Sequence, residues 1–481
     1  MWLLMKKMPV KTAVFAIACL MVLAAGWRMR EVRLYGPMRN DEAFTYVAYV
    51  KRGDYFDYSR PNNHVLNTLL MAGSAKVLGE SPLGLRMPAF VCGLLLMPAV
   101  GLLCFQLSGS GAMALAAMAL AAGSPALVEY SANARGYSLV ALAAVLMGCL
   151  TVRLRRAPGW KMGWVGWVIC GVAGLYAVPI MVYAIAPLAL LLLADPCTEA
   201  RKRVAPLGVA MVAMGIATAA LYAPVVAKSG LAAITTNPFV TPMGLGTVPG
   251  EMAARFAEMA TTWTGSGSGL FVAFLCVGTV ASVFTVEKRG GNRMQLLALA
   301  GIAVLLAAGF LQRRVPPVRV CLYLQAWMIA CACAAMGQLA ATEWVRIAMA
   351  AALMLLAGYD GYRVKKQPLL ISEDPHTFVD AGEVAAHLVQ GGLYRGDTAL
   401  IWNSSENLWP PLLYYLIQMQ PEQGETVDWN DPASRRIFVL IERTDKIEDF
   451  LRSRPGFSEL YEAPQLVEVT RNSCVYLARR R

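Results

Sequence analysis

The chain has 481 residues, of which 57% are hydrophobic and only 15% charged, well below the roughly one quarter of charged residues found in soluble globular domains. That composition excludes a soluble globular protein and indicates a polytopic membrane protein. The formal charge of +12 does not call for nucleic acid, because most basic residues flank apolar segments, where anionic headgroups and the positive-inside rule account for them.

In chain order, "MWLLMKKMPVKTAVFAIACLMVLAAGW" has a basic start and a long apolar core, and Gly26-Trp27-Arg28 is a poor cleavage site, so it reads as a retained signal anchor. Apolar runs of roughly 20 residues, enough to cross about 30 Å of hydrocarbon, recur through the first three quarters of the chain, and about eleven can be counted. The eleven cysteines lie mostly in these runs, where Cys behaves as a small hydrophobe, and no C-x-x-C pair suggests a metal or redox site. Short basic connectors, "RLRRAPGWK", "RKR" and "EKRGGNR", share one face with Lys6, Lys7 and Lys11 if the runs alternate. That face is expected to be cytoplasmic. Four polar pieces, 35–86, 124–136, 227–268 and 312–319, are then expected to converge on the other face.

A last apolar segment over 344–359 exports the tail to that same side. The tail has its own pattern: "FVDAGEVAAHLVQ" reads as an amphipathic helix, "DTALIW" and "RRIFVLIER" as buried strands, "ENLWPPLLYYLIQ" as a Pro-interrupted helix, and "LVEVT" with "CVYLAR" as late strands. The expected fold class is an all-α polytopic membrane domain, 1–360, containing the polar loop 35–86, followed by a small extracytoplasmic α/β domain, 361–481. The tail shows no phosphate loop or catalytic triad, so a lid or docking role is expected of it.

Three polar clusters carry groups capable of chemistry. In "NDEAFTYVAYV", Asn40 is a good helix N-cap, Asp41 and Glu42 fall in the first turn, and Phe44, Val47 and Val50 share a stripe, the pattern of a short interfacial helix. Two acids there would complement the helix dipole by about 0.3–1 kcal/mol each. Asp41 is also placed to take a proton from an incoming hydroxyl, while Glu42, about 100° around the helix, would orient a neighbour or the sugar. In "SRPNNHVLNTLL", Arg60 can bind a phosphate as a rigid donor fork, Asn62 and Asn63 offer donors and acceptors to sugar hydroxyls, and His64 is one of three histidines. The asparagines equally suit a helix start, and a metal at His64 would need ligands that the spacing does not supply. In "EYSANARGYSLV", Asn133, Arg135 and Tyr137 lie in a turn between apolar helices, where an isolated charge needs water, a headgroup or an acid. Arg319 in "RRVPPVRV" raises the same choice between clamping an anionic headgroup and marking the interface.

With these motifs and "GESPLGLRMPAF", which contains Arg86, the sequence resembles the GT-C superfamily of polytopic glycosyltransferases, in the branch of protein O-mannosyltransferases and the lipid A aminoarabinose transferase. The layout is similar over about 10–360, and the motifs are concentrated in about the first 140 residues. The resemblance implies a polyprenyl-phosphate-linked sugar donor, a lipid, glycan or protein acceptor, inversion at the anomeric carbon and an active face outside the cytoplasm, in a bacterial inner membrane. It carries the family's catalytic aspartate onto Asp41 and its phosphate-binding basic residue onto Arg60, before Pro61. Where the lipid A transferase pattern reads KPP, this sequence reads RPNNH, so sugar and acceptor do not carry over. No cofactor is called for, and a divalent metal stays open.

Two other readings compete. A transporter or flippase for a lipid-linked saccharide also needs arginines and many spans, but should carry paired ionisable groups near mid-membrane, whereas here polar groups gather at one face. An assembly subunit with a degenerate loop would not depend on Asp41.

Overall fold

Apolar runs that avoid water must pair every backbone N–H and C=O internally, which favours helices. The computed structural model describes residues 10–481 apart from 61, 195–196, 236–240, 265–268, 289–292, 367–377, 395, 404–408, 420–429, 431 and 472. By backbone contacts the chain divides into two units, one comprising Met1–Leu34, Phe56–Ser74 and Arg86–Ile371, the other Tyr35–Tyr55, Ala75–Leu85 and Ser372–Arg481. The second unit thus includes two pieces of the loop 35–86 that the sequence alone groups with the membrane part.

The first unit is helical. It contains α1 (Val10–Leu34), most of α3 (Val65–Leu78), most of α4 (Pro82–Ser108), α5 (Gly111–Gly123), α6 (Pro125–Ser131), α7 (Tyr137–Arg156), α8 (Lys161–Ala177), α9 (Val182–Leu193) and α10 (Cys197–Ser229). It continues with α11 (Leu231–Thr235), α12 (Val248–Thr264), α13 (Gly269–Lys288), α14 (Leu297–Gln312), α15 (Leu322–Leu339) and α16 (Glu343–Lys366). Among the described residues seven helices are long and apolar enough to cross a membrane, or up to nine if each of two bent pairs is one span. The chain is an integral membrane protein. The expected count of about eleven is not confirmed among the described residues, where Val65–Leu78 and Pro179–Leu193 are apolar but short, below the length that spans hydrocarbon.

Small residues let these helices approach closely, as they must where hydrophobicity cannot drive association within lipid. α5 and α16 pack together with Gly123 so close that an added Cβ would meet the Ala357 carbonyl oxygen at 2.3 Å. A backbone atom cannot swing aside as a side chain can. Gly123→Ala is therefore expected to destabilise the protein by about 1–3 kcal/mol, the usual cost of overpacking, read as a lower midpoint in thermal unfolding of the detergent-solubilised protein.

Buried arginines in this unit terminate helices. Arg30 donates to the carbonyls of Ala122 (3.0 Å) and Ala121 (3.1 Å) near the end of α5, and to Ser131 Oγ at 3.1 Å. Arg203 donates to Leu192 O at the end of α9 (3.0 Å), where Arg155 meets Leu191 O. Arg86 donates to the carbonyls of Arg33 (3.0 Å) and Leu34 (3.1 Å), which close α1. A cation at a helix C-terminus satisfies orphan carbonyls and complements the dipole. Arg33 also pairs with buried Glu129 at 3.5 Å.

The second unit holds α2 (Asn40–Thr45), followed by a π-helical turn, Tyr46–Val50, and the tail domain. The tail has α17 (Ala381–Gln390), β1 (Thr398–Asn403), α18 (Trp409–Met419), β2 (Arg436–Glu442), α19 (Ile447–Ser453), α20 (Phe457–Leu460), β3 (Gln465–Val469) and β4 (Ser473–Arg479). The sheet order is β1-β2-β4-β3, with β1 parallel to β2 and the other pairs antiparallel. Strand side chains alternate between faces. Leu400, Phe438, Leu440 and Val475 pack with Leu388, Leu412 and Leu416 from α17 and α18, while Ala399, Ile401, Ile437, Val439 and Ala478 pack with Phe450 and Phe457 from α19 and α20. All four expected strands form. Of the helix expected to be interrupted by proline, 406–408 lie outside the described residues, and the rest forms α18 with Pro410 and Pro411 in its first turn, where a missing N–H costs nothing.

Candidate functional site

The turn before α3 is built by its own polar side chains. Ser59 N–H donates to Asp57 Oδ1 at 2.8 Å, Asn63 Nδ2 donates to the Asp57 carbonyl at 2.8 Å, and Thr68 Oγ1 donates to Asn63 Oδ1 at 2.8 Å. Both ends of the buried Asn63 amide thus have protein partners, which gives it a structural task. One turn into α3, Asn67 Nδ2 donates to the Ala134 carbonyl at 2.9 Å. That bond ties 57–67 to the turn between α6 and α7.

Arg135 fastens the same two turns from the other side. Its guanidinium donates to the Asn62 carbonyl at 2.7 Å and to Asn62 Oδ1, and Nη2 lies 3.2 Å from His64 Nε2. The Gly136 N–H donates to His64 Nδ1 at 2.9 Å. Both nitrogens of the His64 ring thus face donors, and a neutral imidazole accepts at only one of them. A guanidinium held in place in this way suits an anionic oxygen.

Burial, then the charges of Arg135 and Arg319, hold the His64 pKa well below its ordinary value of 6.5. The unfolded ring takes up a proton near 6.5 and the folded ring does not, so acidification through that value favours the unfolded chain. Stability contributed by His64 is present above pH 6.5 and declines below it. Lowering the pH from about 7.5 to about 5.5 should depress the thermal midpoint of wild type more than that of His64→Asn. Equal depression would remove His64 as a source of the pH dependence.

Other expected site residues fall into place around this pair. Tyr137 meets His64 edge-on at 4.8 Å and Tyr130 at 5.5 Å, and the Arg135 guanidinium lies 5.9 Å from the Tyr137 ring centre. Asn133 is buried, and its Oδ1 has no hydrogen-bond partner among the described residues, an acceptor available to a hydroxyl. Arg319 is half-buried and near enough to act on His64. Arg60 is exposed in the turn, and Pro61 after it lies outside the described residues. Arg86 caps α1 through the carbonyls of Arg33 and Leu34.

The expected meeting of polar pieces is borne out within the first unit for three turns and part of the first loop. Tyr58 N–H donates to Ser229 Oγ at 2.8 Å, and Met243 N–H donates to the Arg313 carbonyl at 2.9 Å. Tyr58, Ser229 and Asn67 were not singled out from sequence. Asn63 and His64 precede α3, so no helical spacing marks Asn67, and its polar side chain at the start of an apolar helix is the one signal that points to it.

Asp41 and Glu42 lie in the second unit. α2 starts one residue earlier than the asparagine suggested: Arg39 is the extended N-cap residue, and buried Glu42 accepts its N–H at 2.9 Å through Oε1, the reciprocal half of a capping box. Asp41 is half-exposed in the first turn. The adjacent acids thus differ in burial, Glu42 being buried at the helix start and Asp41 half-exposed. Among the described residues no group of three or more His, Cys, Asp and Glu could hold a metal ion.

No family model and no curated protein matches the sequence. Solved structures do match its fold. The apo structure of ArnT from Cupriavidus metallidurans superimposes with a TM-score of 0.64 at 10% identity, covering 97% of each chain. The same protein bound to undecaprenyl phosphate gives 0.62 at 12%, again over 97% of each. The oligosaccharyltransferase AglB from Archaeoglobus fulgidus, in complex with an inhibitory peptide and a dolichol-phosphate, gives 0.53 at 11%, over 90% of this chain and 70% of that one. The chain has the GT-C fold.

Proposed function

We propose that the protein is a membrane glycosyltransferase that moves a sugar from a polyprenyl-phosphate-linked donor to an acceptor hydroxyl, with inversion, on the extracytoplasmic face. The observation that supports it most directly is the buried Arg135 guanidinium, held by Asn62 and standing 3.2 Å from His64 Nε2. That fixed cation, with Arg319 adding positive potential, suits the phosphate that leaves with the lipid. The fold supports it further, since ArnT was solved with undecaprenyl phosphate and AglB with a dolichol-phosphate.

In this reading Arg135, His64 and Arg60 stabilise the charge that develops on the departing phosphate, an effect worth several kcal/mol for a well-placed donor. Asp41 takes the acceptor proton as the hydroxyl attacks the anomeric carbon. Glu42 holds the start of α2. Asn62 fixes the Arg135 fork, and Asn133 Oδ1 accepts from a sugar hydroxyl. The acceptor class is a lipid, glycan or protein.

The test is transfer itself. Protein reconstituted in liposomes is supplied with radiolabelled polyprenyl-phosphate sugars and an envelope fraction, and label is followed into acceptor. Transfer from at least one donor is expected. Movement of donor across the bilayer without transfer would instead identify a transporter.

A further inference from the structure

We infer that α18 of the tail domain is a positioning element for the acid-bearing helix, with Tyr415 and Gln418 fixing the two ends of α2. This rests on the reading of Asp41 as the base. A helix of six residues, Asn40–Thr45, is far below the length at which an isolated helix persists in water, so something outside it must set its orientation. It runs into the π-helical turn Tyr46–Val50, a rare geometry found mostly at functional sites.

The hold comes from one stretch of α18, "LLYYLIQM". Before α2, the Met38 N–H donates to Tyr415 Oη at 3.2 Å. After α2, Gln418 Nε2 donates to Tyr46 Oη at 3.2 Å. The Tyr46 hydroxyl in turn donates to Glu80 Oε2 at 2.7 Å, which also receives Lys51 Nζ at 2.9 Å. Tyr414 completes the set, donating to the Glu80 carbonyl at 2.8 Å with its ring edge-on to Tyr46 at 5.3 Å.

Asp41 lies between these two attachments. Burial, then the hydrogen bond to Glu80, raise the Tyr46 pKa, so Tyr46 remains a neutral hydroxyl that accepts from Gln418 and donates to Glu80. Positions 414 and 418 share one helix face and 415 flanks it, so a rigid α18 presents all three contacts together. With both ends fixed, α2 cannot turn about its axis, and the Asp41 carboxylate keeps one direction. A displacement of about 1 Å of a reacting group can cost about 10²-fold in rate, so holding α2 is a sufficient task for α18.

The experiment compares full-length wild type, Tyr415→Phe, Gln418→Leu and the double variant by two readouts. Hydrogen exchange is expected to show faster exchange over 38–50 in the double variant, with the β2 and β4 amides unchanged, which certifies a folded domain. Steady-state transfer is expected to show kcat reduced about tenfold with the donor KM unchanged. Unchanged exchange over 38–50 overturns the inference, and so does faster exchange with unaltered kcat. If wild type transfers no sugar, the transferase reading fails, and the exchange arm alone decides whether α18 holds α2.

Discussion

Replacing Asp41 by asparagine is expected to lower kcat for sugar transfer by about 10²–10⁴-fold, the usual contribution of a general base, with little change in folding. Asparagine has nearly the shape of aspartate and is acceptable near a helix start, so the stability lost is limited to the dipole contribution of about 0.3–1 kcal/mol. The neighbouring acid provides the contrast. Glu42 is buried and accepts the Arg39 N–H at 2.9 Å, an acceptance that glutamine can reproduce, so Glu42→Gln is expected to keep most of the activity. Initial rates in reconstituted liposomes, with thermal midpoints as the control on folding, separate the two. An Asp41→Asn protein that transfers as fast as wild type would remove Asp41 from the mechanism.

How far the sequence alone reaches depends on the range of the interaction. The short apolar runs of the tail announce β1, β2, β3 and β4 because a β-rich run bounded by polar residues is a local pattern, and each forms where expected. Hydropathy counts apolar runs without showing where a helix ends, as at Val65–Leu78, which is apolar but short. Asn62, His64 and Arg135 were recognisable by residue type, yet the contact between positions 64 and 135, 71 apart in sequence, follows from packing and not from spacing. Arg86 lies within a motif of the resembling family, and its guanidinium closes α1, a contact that residue type alone does not announce. The contacts of Tyr414, Tyr415 and Gln418 to α2 and Glu80 cross more than 330 residues, beyond any local signal.

Arg135 is the residue whose replacement should cost most in both activity and fold. Its guanidinium meets the carbonyl and Oδ1 of Asn62 together while standing against His64, and a lysine ammonium, a point charge on a flexible stem, cannot reproduce a planar fork. Arg135→Lys is therefore expected to keep the positive charge yet lose about 10²-fold in kcat, as when one well-placed donor to a developing anion is removed. Arg135→Ala should also lose about 1.5–3 kcal/mol of stability from its charged hydrogen bonds. The coupling to Asn62 separates geometry from charge. If Arg135 acts through the fork, Asn62→Ala and Arg135→Lys will be strongly non-additive in a double-mutant cycle, because the first change already loosens what the second removes. Additive losses, or an Arg135→Lys enzyme with full activity, would mean that positive charge alone suffices at this position and that the planar fork of Arg135 does not bind the phosphate.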